Sequence, residues 1–147
     1  MSAVPEISVY NHQSVVDIAS SLLTRLKKSA QRAIPKVLAV AKINDSALTQ
    51  LDEVEISLVD DPTIADVHMR FMDVAGATDV ITFDHGELHI SVETAQSQAC
   101  EFGNDFEREL MLYVVHGLLH LAGHEDASAE GRATMDELQQ RLLNEVW

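Results

Sequence analysis

Two histidines four residues apart, His116 and His120, lie in an apolar stretch of the chain that extends from Leu110 to Leu121. In a helix, side chains at positions i and i+4 project from the same face about one turn apart, which is the separation that a shared metal ion needs. Burying an imidazole without a partner costs about 1 to 3 kcal/mol, and packing alone gives no reason to bury two on one face. The pair therefore predicts a metal site.

The segment after the second histidine offers the third ligand. Gly123 lets the chain turn back at the end of the helix, and Asp126 follows three residues later. The spacing H-x3-H-x2-G-x2-D is that of the extended zinc-protease signature H-E-x-x-H-x-x-G-x-x-H, with Asp126 at the last ligand position. His124 is a rival third ligand, because imidazole is the better zinc donor. Asp126 is favoured because its position has the established reach.

Three protein ligands leave one coordination place on zinc for water, whose pKa there falls to about 7. The sequence therefore predicts a zinc-dependent hydrolase with one ion. Glu125 is a candidate base or ligand-orienting residue in the same segment. Gly117 stands where the zinc proteases carry their catalytic glutamate, so the peptidase mechanism does not follow from the spacing.

The elements that position these residues follow from hydrophobic periodicity and turn signals. Asn104, with Glu107 three residues later, predicts the start of the metal-bearing helix, and Gly123 predicts its end. Strands and helices do not alternate regularly, which favours an α+β fold with the metal site on a central buried helix. The other predicted elements are a short strand at residues 7–9, a helix over 20–42 broken or kinked at Pro35, a strand over 53–59, a helix capped by Asp61 with Pro62 as its first residue, a hairpin of 80–83 with 88–92, and a last helix from about Ser128.

The length of 147 residues predicts a single metal-dependent hydrolase domain over residues 1–147. No apolar run approaches the ~20 residues of a membrane span, and the N-terminal residues lack the pattern of a signal peptide, so a cytoplasmic protein without membrane contact is expected. The lone Cys100 excludes an internal disulfide and is expected to be an inert thiol.

The formal net charge of −14 disfavours binding of a polyanion over most of the surface. Four cations nevertheless share one face of the first predicted helix. This basic stripe is either the solvated face of an amphipathic helix or a surface that follows the phosphates of a nucleic acid. Its members are Arg25, Lys28, Arg32 and Lys36.

Three segments carry a resemblance to a known family. The sequence HGLLHLAGHED at residues 116–126 resembles the motif of the YbeY endoribonucleases, which is close to H-G-x-L-H-L-x-G-Y-D-H. TDVITFDHGELHIS at 78–91 is similar to that family's T-D-V-L-S-F segment followed by G-D-I-x-I-S, and EISLVDDPTI at 55–64 is similar to its strand and helix opening. The likeness covers most of residues 53–145.

The resemblance implies an α+β fold with a small mixed β-sheet packed with helices, and a zinc-like metal held by His116, His120 and residue 126. It also implies cleavage of single-stranded RNA in the maturation of the 16S ribosomal RNA 3′ end, with a role in ribosome quality control. The implied partners are ribosomal RNA, the ribosome, and ribosomal or GTPase assembly proteins.

The chain departs from the family pattern near the metal. Asp126 replaces the third histidine, His124 replaces tyrosine and Glu125 replaces aspartate. A hard oxygen ligand is expected either to weaken zinc binding or to broaden the choice of metal toward manganese or similar ions. Met72 occupies the place of the usual family arginine, and Arg70 is the residue that could substitute for it. The predicted catalytic set is therefore His116, His120, Glu125 and Arg70.

Two alternatives to the ribonuclease remain. A metal-dependent hydrolase of a peptide or amide would fit the protease-like spacing, although Gly117 argues against it. A ribosome-assembly module with a structural metal would need a fourth protein ligand, for which His124 is the candidate.

Overall fold

The computed structural model describes residues 4–147, which form four strands and six helices. The three longest helices enclose most of the apolar core, and a short helix precedes the second strand. In chain order the elements are β1 (Glu6–Asn11), α1 (Ser20–Ala39), α2 (Ala47–Gln50), β2 (Glu53–Val59), α3 (Asp61–Met72), β3 (Val80–Phe83), β4 (Glu87–Ser91), α4 (Val92–Phe102), α5 (Phe106–Leu121) and α6 (Ala129–Val146).

The sheet has the strand order β1-β2-β4-β3. β1 and β2 are parallel, β2 and β4 are parallel, and β3 runs antiparallel to β4. The hairpin of β3 and β4 turns at Gly86, whose φ of +104° and close approach to the Glu53 carbonyl oxygen, 2.7 Å from an added Cβ, both require glycine. The predicted α+β fold with a small mixed sheet, including its hairpin, is confirmed.

The two faces of the sheet are covered unequally. One face, with Ile56 of β2 and Leu88 of β4, belongs to the main core, to which α1, α4, α5 and α6 also contribute. Side chains alternate between the faces of a strand, and the opposite face forms a smaller cluster in which α3 contributes Ile64 and β3 contributes Ile81. The candidate site lies on the α5 side of β3.

α5 is the central buried helix that the sequence predicts. It contacts α1, α4 and α6 as well as strands β3 and β4. Gly117 makes the close approach to the sheet possible, because an added Cβ would lie 2.5 Å from Cδ2 of Leu88 and 3.2 Å from Oγ1 of Thr82. A glutamate at this position, as in the zinc proteases, has no room.

Helix α4 was not predicted. The sequence pattern places Val92 at the end of a strand, whereas Ser91 caps a helix there and its Oγ accepts a hydrogen bond of 3.1 Å from the Thr94 amide. The buried stripe of this helix consists of Val92 and two alanines, Ala95 and Ala99. Alanine contributes little to a hydrophobic pattern, so this amphipathic helix has a weak signal.

Three predicted helix boundaries are corrected. Asp60, not Asp61, caps α3 by accepting a hydrogen bond of 2.9 Å from the Thr63 amide, and Asp105, not Asn104, caps α5. α1 runs through Pro35 without a break and ends at Ala39. Each of these corrections moves a helix end by a few residues and leaves the helix in place.

The basic stripe contacts the end of α6. Arg32 donates to the carbonyl of Val146 at 2.9 Å, Lys36 pairs with Glu145 at 3.3 Å, and the Arg25 guanidinium lies 3.6 Å from the ring centroid of Trp147. Cations are favourable beside the free carbonyls of a helix C-terminus. Three of the four stripe residues therefore stabilise the contact of α1 with α6.

None of the helices within residues 4–147 combines the length and apolar character that crossing a bilayer requires.

Candidate metal centre

α5 presents His116 and His120 on one face, with their ring centroids 4.6 Å apart and the two Nε2 atoms separated by 3.0 Å. The loop after α5 brings Asp126 to the same point, where its Oδ2 lies 3.4 Å from Nε2 of His116 and 3.8 Å from Nε2 of His120. The ligand atoms of the three residues all lie within 4.8 Å of one another. This arrangement could hold a metal ion.

The hydrogen bonds at the far side of each ring define what the Nε2 atoms can do. Nδ1 of His116 lies 2.9 Å from Oε1 of Gln139, and Nδ1 of His120 lies 3.0 Å from the carbonyl oxygen of His124. Both partners are acceptors, so each Nδ1 donates to its partner, and in its neutral form each ring then presents an Nε2 lone pair.

Two lone pairs that face each other at 3.0 Å cannot form a hydrogen bond, and a cation between them removes the repulsion. Nitrogen ligands about 2.0 to 2.1 Å from a tetrahedral zinc ion are about 3.3 Å apart, close to the separation found. Two imidazole nitrogens and a carboxylate oxygen also form a donor set that suits zinc and related ions. The residues present therefore fit a bound metal.

The electrostatics of the cluster favour the neutral, metal-binding form of His120. Burial lowers the pKa of His120, and the neighbouring His116 lowers it further. The carboxylate of Asp126 acts in the opposite direction, as does the backbone carbonyl of His124. Because metal ligation needs a deprotonated imidazole nitrogen, a lowered pKa leaves this nitrogen available at neutral pH.

The loop geometry separates the two rival third ligands. Gly123 takes a φ of +96°, as predicted for the turn after the helix. His124 then points into the protein, where its Nε2 donates to the carbonyl of Val40 at 2.7 Å and its side chain is buried. Among residues 4–147, the group of possible metal ligands at this point contains His116, His120 and Asp126. The geometry favours Asp126 over His124.

Glu125 lies beside the triad in sequence and faces elsewhere. Its carboxylate accepts hydrogen bonds from the amides of Ala127 (2.7 Å) and Ser128 (3.1 Å) and from the Ser128 hydroxyl (2.8 Å) at the start of α6. The hydrogen bond from Ser128 is the main reason why the pKa of Glu125 is lowered. Glu125 lines a small separate cavity with Lys42 and His124. Its contacts fix the loop that carries Asp126.

A cleft of about 430 Å³ opens onto the triad between α5 and β3. Met72 lines it, whereas Arg70 does not and instead pairs with Asp66 at 3.2 Å with a largely exposed side chain. Arg70 is therefore not among the residues that line the cleft with the triad. The other lining residues are Thr78, Asp79, Val80, Ile81, Thr82 and Asp84.

Three polar residues of this centre are not among those predicted from the sequence: Asp79, Asp84 and Gln139. Asp79 directly precedes β3 and Asp84 directly follows it, and their proximity to α5 depends on how the hairpin packs. Gln139 had a signal, since it lies four residues after Met135 and three before Leu142, on the buried face of α6. A polar residue at core spacing indicates a buried hydrogen-bond partner.

The second histidine pair lies away from the triad. His85 and His89 both contact Glu87, at 3.2 Å and 3.6 Å, and the hydrogen bond from His85 is the main reason why the pKa of Glu87 is lowered. They line a different cleft, together with Phe71 and Phe83.

Comparison with known proteins decides the family. A family model described as "Endoribonuclease YbeY" matches residues 9–147. The chain belongs to the YbeY endoribonuclease family. Membership assigns it the hydrolytic cleavage of RNA within the strand.

Several YbeY proteins are similar along almost their full length. The Endoribonuclease YbeY of Symbiobacterium thermophilum is 32% identical over 155 aligned residues, which cover 94% of this chain and 95% of that protein. The Endoribonuclease YbeY of Moorella thermoacetica is also 32% identical, with the same two shares. The solution structure of TM1509 from Thermotoga maritima matches with a TM-score of 0.65 and 30% identity, covering 96% of this chain and 89% of that one.

Proposed function

We propose that this YbeY protein is a cytoplasmic, metal-dependent endoribonuclease that cleaves single-stranded RNA during maturation of the 16S ribosomal RNA 3′ end and acts in ribosome quality control. The observation that carries the proposal is the convergence of two Nε2 lone pairs and one carboxylate at the floor of an open cleft. Family membership supplies the RNA substrate class.

The metal would be held by His116, His120 and Asp126, as one zinc ion or another divalent transition metal. When bound, zinc acts as a Lewis acid and makes water acidic enough to give a nucleophile near neutral pH. The carboxylate ligand supports a broader choice of metal than three imidazoles would, because oxygen donors suit harder ions such as manganese.

The chain's own groups would orient the reaction. Gln139 and the His124 carbonyl hold the two imidazoles with Nε2 toward the cleft. Asp79 and Asp84 add carboxylates to the lining, where either can accept a proton from a water molecule at the phosphodiester. The catalytic roles predicted for Glu125 and Arg70 stay predictions, and the contacts of both side chains outside the cleft weigh against them.

The charge of the cleft indicates how RNA would be held. Its lining contains three aspartates and no lysine or arginine, and most of the basic stripe is engaged with α6. A polyanion therefore gains little from the cleft itself. This supports a substrate presented by the ribosome, with ribosomal or GTPase assembly proteins as the partners that bring the 16S end to the metal.

Neither alternative function gains support. Amide hydrolysis by the zinc-protease mechanism needs a glutamate at Gly117, where even a Cβ is too close to Leu88. A structural metal needs a fourth protein ligand, and the candidate for it, His124, has its Nε2 hydrogen-bonded to the Val40 carbonyl.

The proposal is tested with zinc-loaded protein and precursor 16S RNA, free and within 30S particles. We expect cleavage near the mature 3′ end, and we expect His116→Ala to lose cleavage and at least about a hundredfold in zinc affinity, because a ligand is removed. His12→Ala is the matched control, since His12 is exposed and stacks on Tyr10. Equal cleavage by wild type and His116→Ala, or full activity after metal removal, would contradict the proposal.

A further inference from the structure

We propose that Gln139 is the positioning residue of the metal centre, and that its amide oxygen fixes the tautomer and orientation of His116. The inference rests on the proposed function to the extent that the centre binds a metal. Its geometric basis is the contact of 2.9 Å between Oε1 of Gln139 and Nδ1 of His116.

The location of Gln139 is the first support. It comes from α6, a different element from the one that carries the histidines, and it lies on the face that packs against α5 between Met135 and Leu142. A glutamine on such a face loses side-chain freedom and part of its hydration, which a hydrogen bond to His116 offsets.

The orientation of the amide is the second support. Nε2 of Gln139 donates to Oδ1 of Asp136 at 3.3 Å, one turn earlier on α6. Because the donor end of the amide faces Asp136, the acceptor end faces His116. The direction of the hydrogen bond to the imidazole is therefore set: Nδ1 donates and Oε1 accepts.

The consequence for the metal follows from the two tautomers of His116. With the proton on Nδ1, its Nε2 is a ligand. With the proton on Nε2, the ring would donate to Nε2 of His120, 3.0 Å away, or to Asp126, 3.4 Å away, and both contacts would block the metal position. Gln139 disfavours this self-blocked state, because only the first tautomer satisfies its Oε1.

Substitution of a side chain can remove the hydrogen bond to Nδ1 of His116 but not the one to Nδ1 of His120. The Nδ1 atom of His120 is held by a backbone carbonyl, that of His124, which no side-chain change removes. Substitution of Gln139 therefore releases one imidazole and leaves the other in place. This separates a positioning effect from general disruption of the centre.

The test compares Gln139→Leu, which removes the acceptor at similar volume, with Gln139→Glu, which keeps an acceptor. We measure zinc affinity by competition with a chelator, and the tautomer of His116 by ¹⁵N NMR of the metal-free protein. Gln139→Leu is expected to lose about tenfold to a hundredfold in zinc affinity and to populate the tautomer with the proton on Nε2. Gln139→Glu is expected to keep the wild-type tautomer and to stay within about threefold of wild-type affinity.

The control variant is Gln140→Leu, a change at the exposed neighbouring position of α6, with thermal unfolding of every metal-free protein as the measure of folding. Unchanged zinc affinity in Gln139→Leu would overturn the inference, as would equal losses in the Leu and Glu variants. The wild-type spectrum alone would overturn it if Nδ1 of His116 carried no proton. Zinc binding and the NMR signal require no RNA, so absence of RNA cleavage would contradict the proposed function and leave this inference standing.

Discussion

The metal centre has two halves that are built differently. The helical half consists of His116 and His120 on α5, with side chains 19% and 29% exposed and a fixed hydrogen bond behind each ring. The loop half consists of Asp126, whose side chain is 47% exposed, on the segment between α5 and α6. Packing therefore fixes the position of two ligands, whereas the third depends on the conformation of a short loop.

The two halves also differ in how closely their sequences follow the YbeY motif. The segment HGLLHLAG at 116–123 follows the family motif, and the three differences fall at 124, 125 and 126. In the helical half, a larger side chain at Gly117 would clash with Leu88 and Thr82. In the loop, side chains can be exchanged at a smaller packing cost. We infer that the packed helical half fixes the position of the site, and that the loop half supplies the third ligand and sets which metal binds.

The largest effect that tests this comparison is expected at Asp126. Asp126→Asn should lower zinc affinity on the order of a hundredfold, because a neutral amide replaces an anionic ligand. Asp126→His should restore or exceed wild-type zinc affinity while weakening manganese binding, because imidazole is the softer donor. Competition titrations with both metals measure the two changes.

Asp45→Asn is the matched control, because Asp45 is exposed and outside the cleft. If Asp126→His changed zinc and manganese affinity by the same factor, the loop half would not select the metal, and the proposed division of roles would be wrong.

The next effect is on the stability of the helical half. Gly117→Ala should lower the free energy of unfolding by about 1 to 2 kcal/mol, because overpacking against fully buried Leu88 outweighs the gain in helix propensity. Denaturant unfolding of the metal-free protein measures this. The double variant Gly117→Ala/Leu88→Ala should be more stable than the sum of the two single changes, because the new methyl group enters the space that Leu88 leaves. Strict additivity of the two changes would show that the packing of α5 does not depend on the close contact between Gly117 and Leu88.

The sequence predicted the helical half better than the loop half, for a physical reason. Helical periodicity fixes which side chains share a face, so the spacing of His116 and His120 was sufficient to place them together. The hairpin and the left-handed turn at Gly123 also have local signals. The α+β class followed from the order of these elements.

The features of the fold and of the site that the sequence does not predict depend on contacts between elements distant in sequence. The spacing could not show that His124 would turn toward Val40, 84 residues away, or that Gln139 of α6 would reach His116. The basic stripe lies on the exposed face of the amphipathic helix α1, which is one of its two predicted readings, but its spacing could not show that its partners lie at the end of α6. Helix α4 was missed because its buried stripe contains small side chains.

The smallest expected effect concerns Glu125, which connects the loop half to α6. The Glu125 carboxylate accepts three hydrogen bonds at Ala127 and Ser128, and an added Cβ at Gly131 would collide with that carboxylate. If Glu125 acts by fixing this loop, Glu125→Ala should weaken zinc binding by about threefold to tenfold, and RNA cleavage at saturating zinc should stay near the wild-type rate.

A catalytic base would behave in the opposite way. Loss of a general base lowers kcat by about a hundredfold or more without a change in metal affinity. Glu137→Ala, at an exposed position of α6, is the control for the loss of one negative charge. The loss of zinc affinity in Glu125→Ala, compared with its loss of kcat, therefore decides between two roles. One is the role in catalysis that the sequence predicts, and the other is the role in loop structure that its contacts favour. Only a loss of kcat at unchanged zinc affinity would place Glu125 in the chemistry, and it would also show that the loop half does more than select the metal.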